Sequence, residues 1–303
     1  MGQSAAAPRK DLAVKAADRF RSPLRYPGGK GRLAPFLGRL MQENRLADGH
    51  YAEAYAGGAG AAISLLLDEY CSHIHINDID PSIHAFWHSV LHDTDQLCAQ
   101  IERTPLSIKE WRRQRMVQDT PDDVDSLTLG FSTFYQNRTN RSGILRGGPI
   151  GGMDQAGRWG LDARFNRNDL IRRIRRIAAH RQRISLYRLD AVDFLAEMAA
   201  TLPSKSLVYC DPPYFVKGQR RLYRNFYAPA DHKEVAETLR SLPCPWVVSY
   251  DYVPEITKLY RGVQRIRYDI NYSVEERYRG REVMFFSDEL VAPSTCNPAY
   301  FRA

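Results

Sequence analysis

Apolar runs without alternation recur along the chain, separated by stretches with helical spacing. Leu207-Val208-Tyr209-Cys210 is apolar throughout, the pattern of a strand covered on both faces, and Trp246-Val247-Val248-Ser249-Tyr250 reads the same way. Tyr51 to Tyr55, Ile74 to Asp78 and Ile184 to Asp190 predict further strands. His73 and His75 alternate with Ile74 and Ile76, so the histidines form one polar face of their strand. Leu33, Phe36, Leu37 and Leu40 are spaced as on a helix, as are Ile83, Phe86, Trp87 and Val90, and Phe194, Leu195 and Met198. Ala61 to Leu67 and a segment from Asp231 predict two more helices, and Arg265 to Tyr272 with Glu282 to Phe286 predicts a closing hairpin. Strands and helices taking turns predict an α/β fold with a mostly parallel, doubly wound sheet.

The alternation lapses between Phe86 and Arg183. The expected organisation is therefore a flexible tail (1–20), a sheet domain in two parts (21–85 and 184–303), and a small, mainly helical insertion (86–183). Within the insertion, Phe131 to Gly143 mixes aromatics, amides and arginines, and a glycine-rich loop follows with Arg146, Arg158 and Trp159. That mixture suits stacking on bases and clamping phosphates. A helix over about Arg167 to Arg183 turns Leu170, Ile171, Ile174 and Ile177 inward and presents arginines outward.

The candidate chemistry sits where strands end. After Cys210 come Asp211-Pro212-Pro213-Tyr214. Neither proline can donate to a ladder and both fix φ, so the backbone leaves the sheet stiffly at its carboxyl edge, where open α/β sheets bind ligands. A carboxylate, the Pro212 carbonyl and a flat ring are then close together. The two acceptors can hold both N–H bonds of an exocyclic amine while the ring stacks on its heterocycle.

Gly57-Gly58-Ala59-Gly60 joins a strand to a helix and lets backbone approach a ligand. Asp78 follows by about twenty residues, the spacing at which an acid meets ribose hydroxyls. Asp78 also precedes a helix and could cap it, while Asp80 reads as a cap alone. Pro27-Gly28-Gly29 makes a tight loop that presents Lys30 beside backbone N–H groups, either as an anion site or as a solvated lysine on a plain turn. Asp190 ends its strand at the same edge as Asp78 and Asp211.

Composition narrows the partners. The 303 residues are 44% hydrophobic, and no apolar segment is long enough to span a bilayer, so a membrane is excluded. The net charge of +8 points to an acidic partner, and arginine suits phosphate forks and guanine edges. Five cysteines without a Cys-x-x-Cys pair suggest neither disulfides nor zinc, and fit a reducing cytosol. The first twenty residues lack the apolar core of a signal peptide. Beyond Tyr214, Lys217, Arg220, Arg221 and Arg224 alternate with aromatics, as in a flap over a nucleic acid strand.

Asp211-Pro212-Pro213-Tyr214, preceded by Arg25-Tyr26-Pro27-Gly28-Gly29-Lys30 and by Glu53-Ala54-Tyr55-Ala56-Gly57-Gly58-Ala59-Gly60, resembles the ordered motifs of the Dam-like, D12-class DNA adenine N6-methyltransferases. The likeness runs from about Ser22 onward. It implies a Rossmann-like class I methyltransferase sheet whose last strand is antiparallel. The cofactor implied is S-adenosylmethionine, without a metal. Its methionine end would meet Tyr26 and Lys30, and Gly57, Gly58, Asp78, Asp190 and Asp211 would line the rest.

The insertion would recognise double-stranded DNA, since Tyr135-Gln136-Asn137-Arg138 resembles the family's Tyr-x-Asn-Arg core. Arg138, Asn140, Arg141 and Arg146, with Lys217 and Arg221 from the flap, are the expected DNA contacts. The family's Asn-Gly-Leu appears here as Ser142-Gly143-Ile144-Leu145. A prokaryotic or phage enzyme of the cytoplasm is implied, solitary or restriction-linked, and a monomer or weak dimer.

Adenine N6 chemistry would rest on orientation of a flipped-out base at Asp211, Pro212, Pro213 and Tyr214. Methylation of RNA or of cytosine N4 is a second reading, although Asp rather than Ser at 211 leans toward adenine. A silent DNA-binding protein is a third, and intact Lys30, Asp78, Asp211 and Tyr214 weigh against it.

Overall fold

The computed structural model describes residues 21–25, 30–215, 227–273, 277–295 and 297–301. The tail 1–20, Tyr26, Lys217 and Arg221 lie outside the described residues. In chain order the elements are α1 (Ala34–Glu43), β1 (Gly49–Glu53), α2 (Gly60–Leu67), β2 (Cys71–Asn77), α3 (Pro81–His92), α4 (Thr94–Arg103), α5 (Ile108–Asp119), α6 (Ser126–Thr139) and α7 (Arg167–Ala178). There follow β3 (Ile184–Tyr187), α8 (Ala191–Thr201), β4 (Ser206–Cys210), α9 (Pro229–Ser241), β5 (Trp246–Asp251), α10 (Pro254–Leu259), β6 (Gln264–Ser273) and β7 (Arg277–Phe286).

These build a seven-stranded sheet in the order β3-β2-β1-β4-β5-β7-β6. The first five strands in that order pair in parallel, and β7 runs antiparallel to both β5 and β6. The mostly parallel sheet and its antiparallel last strand are as expected. The chain lays down β1, β2 and β3 in one direction, then returns to place β4 and β5 on the other side. The topological switch therefore lies between β1 and β4, and ligand crevices open at the carboxyl ends of such a pair. Glu53 ends β1 opposite Tyr209, and Asp211 follows β4 directly.

Every residue of β4 and β5 is buried, which is why their sequences carry no alternation. One side of the sheet packs Tyr51, Ile74, Ile76, Leu207 and Tyr209 with Phe36, Leu37, Leu66 and Phe86 from α1, α2 and α3. The other packs Ala52, Val208, Cys210 and Val248 with Phe194, Leu195, Val235 and Leu239 from α8 and α9. The helices between β2 and β3 join this core: Phe134 of α6 stacks on Phe86 of α3 at 6.0 Å. The helix foreseen to Arg183 ends at Ala178, and a separate turn spans Arg181–Arg183. Among the described residues, no helix is long and apolar enough to cross a membrane.

The histidines of β2 share a face, as their alternation predicts, and meet a third from β1. His50 Nδ1 lies 3.0 Å from His75 Nε2, His75 Nδ1 lies 3.2 Å from the Tyr187 hydroxyl, and His73 Nε2 lies 2.9 Å from Ser185 Oγ. Burial holds all three below the usual imidazole range, and His75, which also faces His73 and His50, falls to about 4. The unfolded chain binds these protons first, so the cluster's contribution to stability is complete above about pH 6.5 and is lost as pH falls toward 4. His75→Gln removes the main titrating group. The drop in Tm between neutral and mildly acid buffer should then be smaller than in wild type, as thermal melts at both pH values would read.

Candidate active site

Asp211 stands where β4 ends, and its carboxylate is gripped from two sides. Ser249 Oγ of β5 donates to Oδ1 at 2.8 Å, and Lys30 Nζ approaches the same oxygen at 3.1 Å. Ser249 in turn shares a 2.7 Å hydrogen bond with the buried Tyr209 hydroxyl. Burial, joined by the like charge of Glu282, pushes the Asp211 carboxyl up to about 6 against the opposing pull of Lys30 and Ser249.

Of the two readings of Lys30, the solvated lysine is the one corrected: it is 6% exposed, carried inward by the turn Lys30–Leu33 that leads into α1. Its Nζ donates to the Tyr214 hydroxyl at 2.5 Å and reaches Glu282 Oε1 at 3.4 Å. It also lies 5.0 Å from the Tyr214 ring centroid. The Tyr214 hydroxyl donates to that same Glu282 oxygen. Tyr268 Oη donates to the other, Oε2, at 2.7 Å. Glu53 completes the group: burial lifts its carboxyl to about 8, so it is protonated at neutral pH, and Ala62 N–H donates to it at 3.2 Å.

Sequence reasoning missed Glu282, Tyr268, Ser249 and Tyr209. A signal existed for two of them, since Ser249 and Glu282 interrupt or open apolar strand runs, and a polar residue at such a site needs a buried partner.

The glycine turn after β1 is shaped as expected. Gly57 has φ +47° and Ala59 is left-handed. Asp78 accepts from Gly57 N at 2.8 Å and Asp80 N at 3.0 Å. Burial is the main reason its carboxyl rises to about 7. Asp80 caps α3 through Ser82 N at 2.8 Å. Asp190 is exposed and caps α8, accepting from Val192 N at 2.9 Å. Among the described residues no group of three or more His, Cys, Asp or Glu side chains could hold a metal ion.

A profile of the D12 class N6 adenine-specific DNA methyltransferases matches residues 26–274. The chain belongs to that family. No curated protein matches it. Solved structures that it resembles include a putative RNA methyltransferase from Pyrococcus horikoshii, at 8% identity and TM-score 0.42, covering 93% of this chain and 96% of the other. Another is the rRNA methyltransferase aviRa from Streptomyces viridochromogenes, at 14% identity and TM-score 0.32, covering 94% and 87%.

In this methyltransferase the aromatics of the Tyr-x-Asn-Arg helix do not face outward. Phe131, Phe134 and Tyr135 are buried, with Phe134 and Tyr135 edge-on to Phe165. Surface stacking read from their mixture with arginine gives way to core packing. Asn140 is fully buried, its Oδ1 accepts from Trp111 Nε1 at 2.7 Å, and its Nδ2 donates to the carbonyls of Ile144 and Leu145 at 2.9 Å. Arg141 and Arg146 are exposed at the start of the glycine loop.

Asn137 ties this region to Arg25. It accepts from Arg25 N at 2.7 Å and donates to Arg25 O at 2.8 Å and Gly143 O at 2.9 Å. A Cβ on Gly143 (φ +76°) would stand 2.2 Å from Arg25 O, so only glycine fits. Here Arg138 is 8% exposed with an orphaned Nε, and Arg25 has an orphaned Nη1. Burial first, then Arg173, Arg25 and Arg164, holds the Arg138 guanidinium down to about 9, against the opposing pull of Asp169. Asp169 is itself shared between Arg172 at 2.5 Å and Arg173 at 2.6 Å.

Proposed function

We propose that this methyltransferase transfers a methyl group from S-adenosylmethionine to the N6 amino nitrogen of an adenine flipped out of duplex DNA. The observation that carries the reading is the seat of the Lys30 amine. An N–H donor lies 3.1 Å from Asp211 and 5.0 Å from the Tyr214 ring centroid, as an exocyclic amine would on a stacked base. Asp211 and the Pro212 carbonyl would accept the two amino protons and aim the nitrogen lone pair at the incoming methyl. Tyr214 would stack on the base, and Pro213 would hold its loop stiff.

The strand edge fits the cofactor. The left-handed turn at Gly57 and Ala59, with Gly58 between them, leaves room for close backbone approach, and a half-buried acid that still holds acceptor capacity, Asp78, suits a ribose diol. Asp190 and Lys30 would flank it at the adenine and methionine ends, with Tyr26 on the latter side. When bound, the cofactor supplies a sulfonium methyl electrophile.

Duplex DNA as the substrate is supported by the crowded guanidinium groups of Arg25, Arg138, Arg164 and Arg173, which repel one another around Arg138 despite Asp169. A phosphodiester would relieve their repulsion. Arg141, Arg146, Lys217 and Arg221 would extend that contact.

The reading is tested by incubating the protein with labelled S-adenosylmethionine and duplex DNA, then separating the nucleosides. Labelled N6-methyladenine is expected. Label in cytosine, or in RNA alone, would overturn the reading.

The glycine loop offers a second check. Gln155 ties it together, donating to the carbonyls of Ile150 and Gly152 at 2.7 Å and accepting from Leu161 N at 3.1 Å. Trp159 is thereby held 62% exposed, with the Arg158 guanidinium 5.3 Å from its ring. The other tryptophans, Trp87, Trp111 and Trp246, are buried. Emission accessible to acrylamide therefore reports Trp159. Duplex DNA should quench that emission and shield it from acrylamide, and Trp159→Phe should abolish the response. A signal unmoved by DNA would place the loop away from the duplex.

A further inference from the structure

The apolar run of β5 is broken near its carboxyl end, at Ser249 and again at Asp251. Residues two apart in a strand share a face, and both of these reach the segment that follows β4. Ser249 Oγ donates to Asp211 at 2.8 Å, and Asp251 Oδ1 accepts from Phe215 N at 3.0 Å. One strand thus grips Asp211-Pro212-Pro213-Tyr214 at both ends, by the carboxylate that opens it and by the backbone directly after its ring.

The second grip falls where donors are scarce. Neither proline carries an N–H, so from Pro212 to Phe215 only Tyr214 and Phe215 offer a backbone donor. A loop stiffened in this way moves as one piece, and what holds its far end decides where the Tyr214 ring stands. Phe215 is held by its side chain as well, its ring centroid 5.3 Å from that of His232, a buried residue of α9. Asp251 is 3% exposed, and a carboxylate at that depth makes a stronger bond to an N–H than a neutral acceptor does.

We infer that Asp251 is a positioning residue: through the Phe215 amide it fixes the Tyr214 ring where it stacks on the target base, while Ser249 fixes the carboxylate that takes the amine. The inference rests on the adenine N6 reading above and carries it from the loop to the strand beside it.

Two changes remove this one bond from opposite sides. Asp251→Ala deletes the acceptor. Replacing Phe215 by its α-hydroxy acid, introduced by nonsense suppression, turns the N–H into an ester oxygen and leaves every other contact of Asp251 in place. Each protein is read as N6-methyladenine formed in one turnover on duplex DNA, at saturating cofactor and DNA, beside its affinity for both. Either change should slow transfer by about thirtyfold. The affinities should stay within about twofold, since phosphate contacts dominate DNA binding. Asp251→Asn keeps a carbonyl acceptor and should recover most of the rate lost in Asp251→Ala. With the acceptor already gone, the ester should cost nothing further.

An ester protein as fast as wild type, losses that add, or a defect confined to cofactor or DNA affinity would overturn the inference. Asp251→Asn as slow as Asp251→Ala would assign the effect to charge rather than to the Phe215 bond, and would overturn it too. If Asp251→Ala does not fold, the ester protein decides alone, because all its side chains are native. Wild type that makes no N6-methyladenine would defeat the adenine reading and the inference with it. Wild type that does, with an ester protein of full rate, would defeat the inference alone.

Discussion

Asp211→Ala is expected to reduce methyl transfer by at least about a thousandfold while the protein stays folded and still binds DNA. The fold should survive because Lys30 keeps Glu282 as a partner at 3.4 Å, so no buried cation is orphaned. The rate should collapse because Ser249, Lys30 and Tyr209 all organise this one carboxylate, on which the proposed reaction seats the substrate amine. Single-turnover transfer, with DNA affinity and Tm measured on the same preparation, separates the two outcomes.

The wild-type pH profile follows from the same site. In the proposed reaction an ionised Asp211 accepts from the substrate amine, and burial has raised its carboxyl to about 6. Transfer should therefore fall as pH drops through about 6, well above the ordinary aspartate range. Stability moves the other way. The folded protein binds this proton more tightly than the unfolded chain, so Asp211 weakens the fold progressively as pH rises from about 3.8 to about 6. Relative to wild type, Asp211→Ala should be more stable in neutral buffer than in acid, and a profile with the opposite slope would count against an ionised, strained carboxylate.

The catalytic edge was legible in sequence because its parts are local. The apolar run to Cys210, the two prolines and Tyr214 lie in one stretch, and the glycine turn and Asp78 mark the neighbouring strands by their spacing. What surrounds Asp211 was not legible, because sheet order brings it together. Lys30 and Glu282 are 252 residues apart in the chain and meet only because β7 inserts antiparallel beside β5. The insertion was harder still. In α6, polar and aromatic residues share every face, and Leu129 through Thr139 are all buried, so no periodicity separates contact residues from packing residues. Asn140 and Arg138 looked equivalent as candidates, yet one has its amide satisfied by Trp111 and two carbonyls while the other keeps an orphaned Nε.

That orphan makes Arg138→Met the second large expected effect, with opposite signs on folding and on binding. The Arg138 guanidinium is desolvated among Arg25, Arg164 and Arg173, with Asp169 opposing them. A charge held this far below its ordinary range is a cost to the folded state, and a methionine of similar length fills the space without it. Stability should rise by about 1 kcal/mol, read as a higher urea midpoint with unchanged slope. DNA affinity should fall, and by a similar factor for unrelated sequences, because a phosphate contact carries no base information. The dependence of log affinity on log salt should flatten by about one unit. A variant that loses stability instead would show that the arginine is already satisfied inside the protein. One that keeps both its affinity and its salt slope would remove the Arg25–Arg138 cluster from the DNA path. Gain in one property with loss in the other is the outcome expected of a cation held ready for an anion that the folded chain does not itself provide.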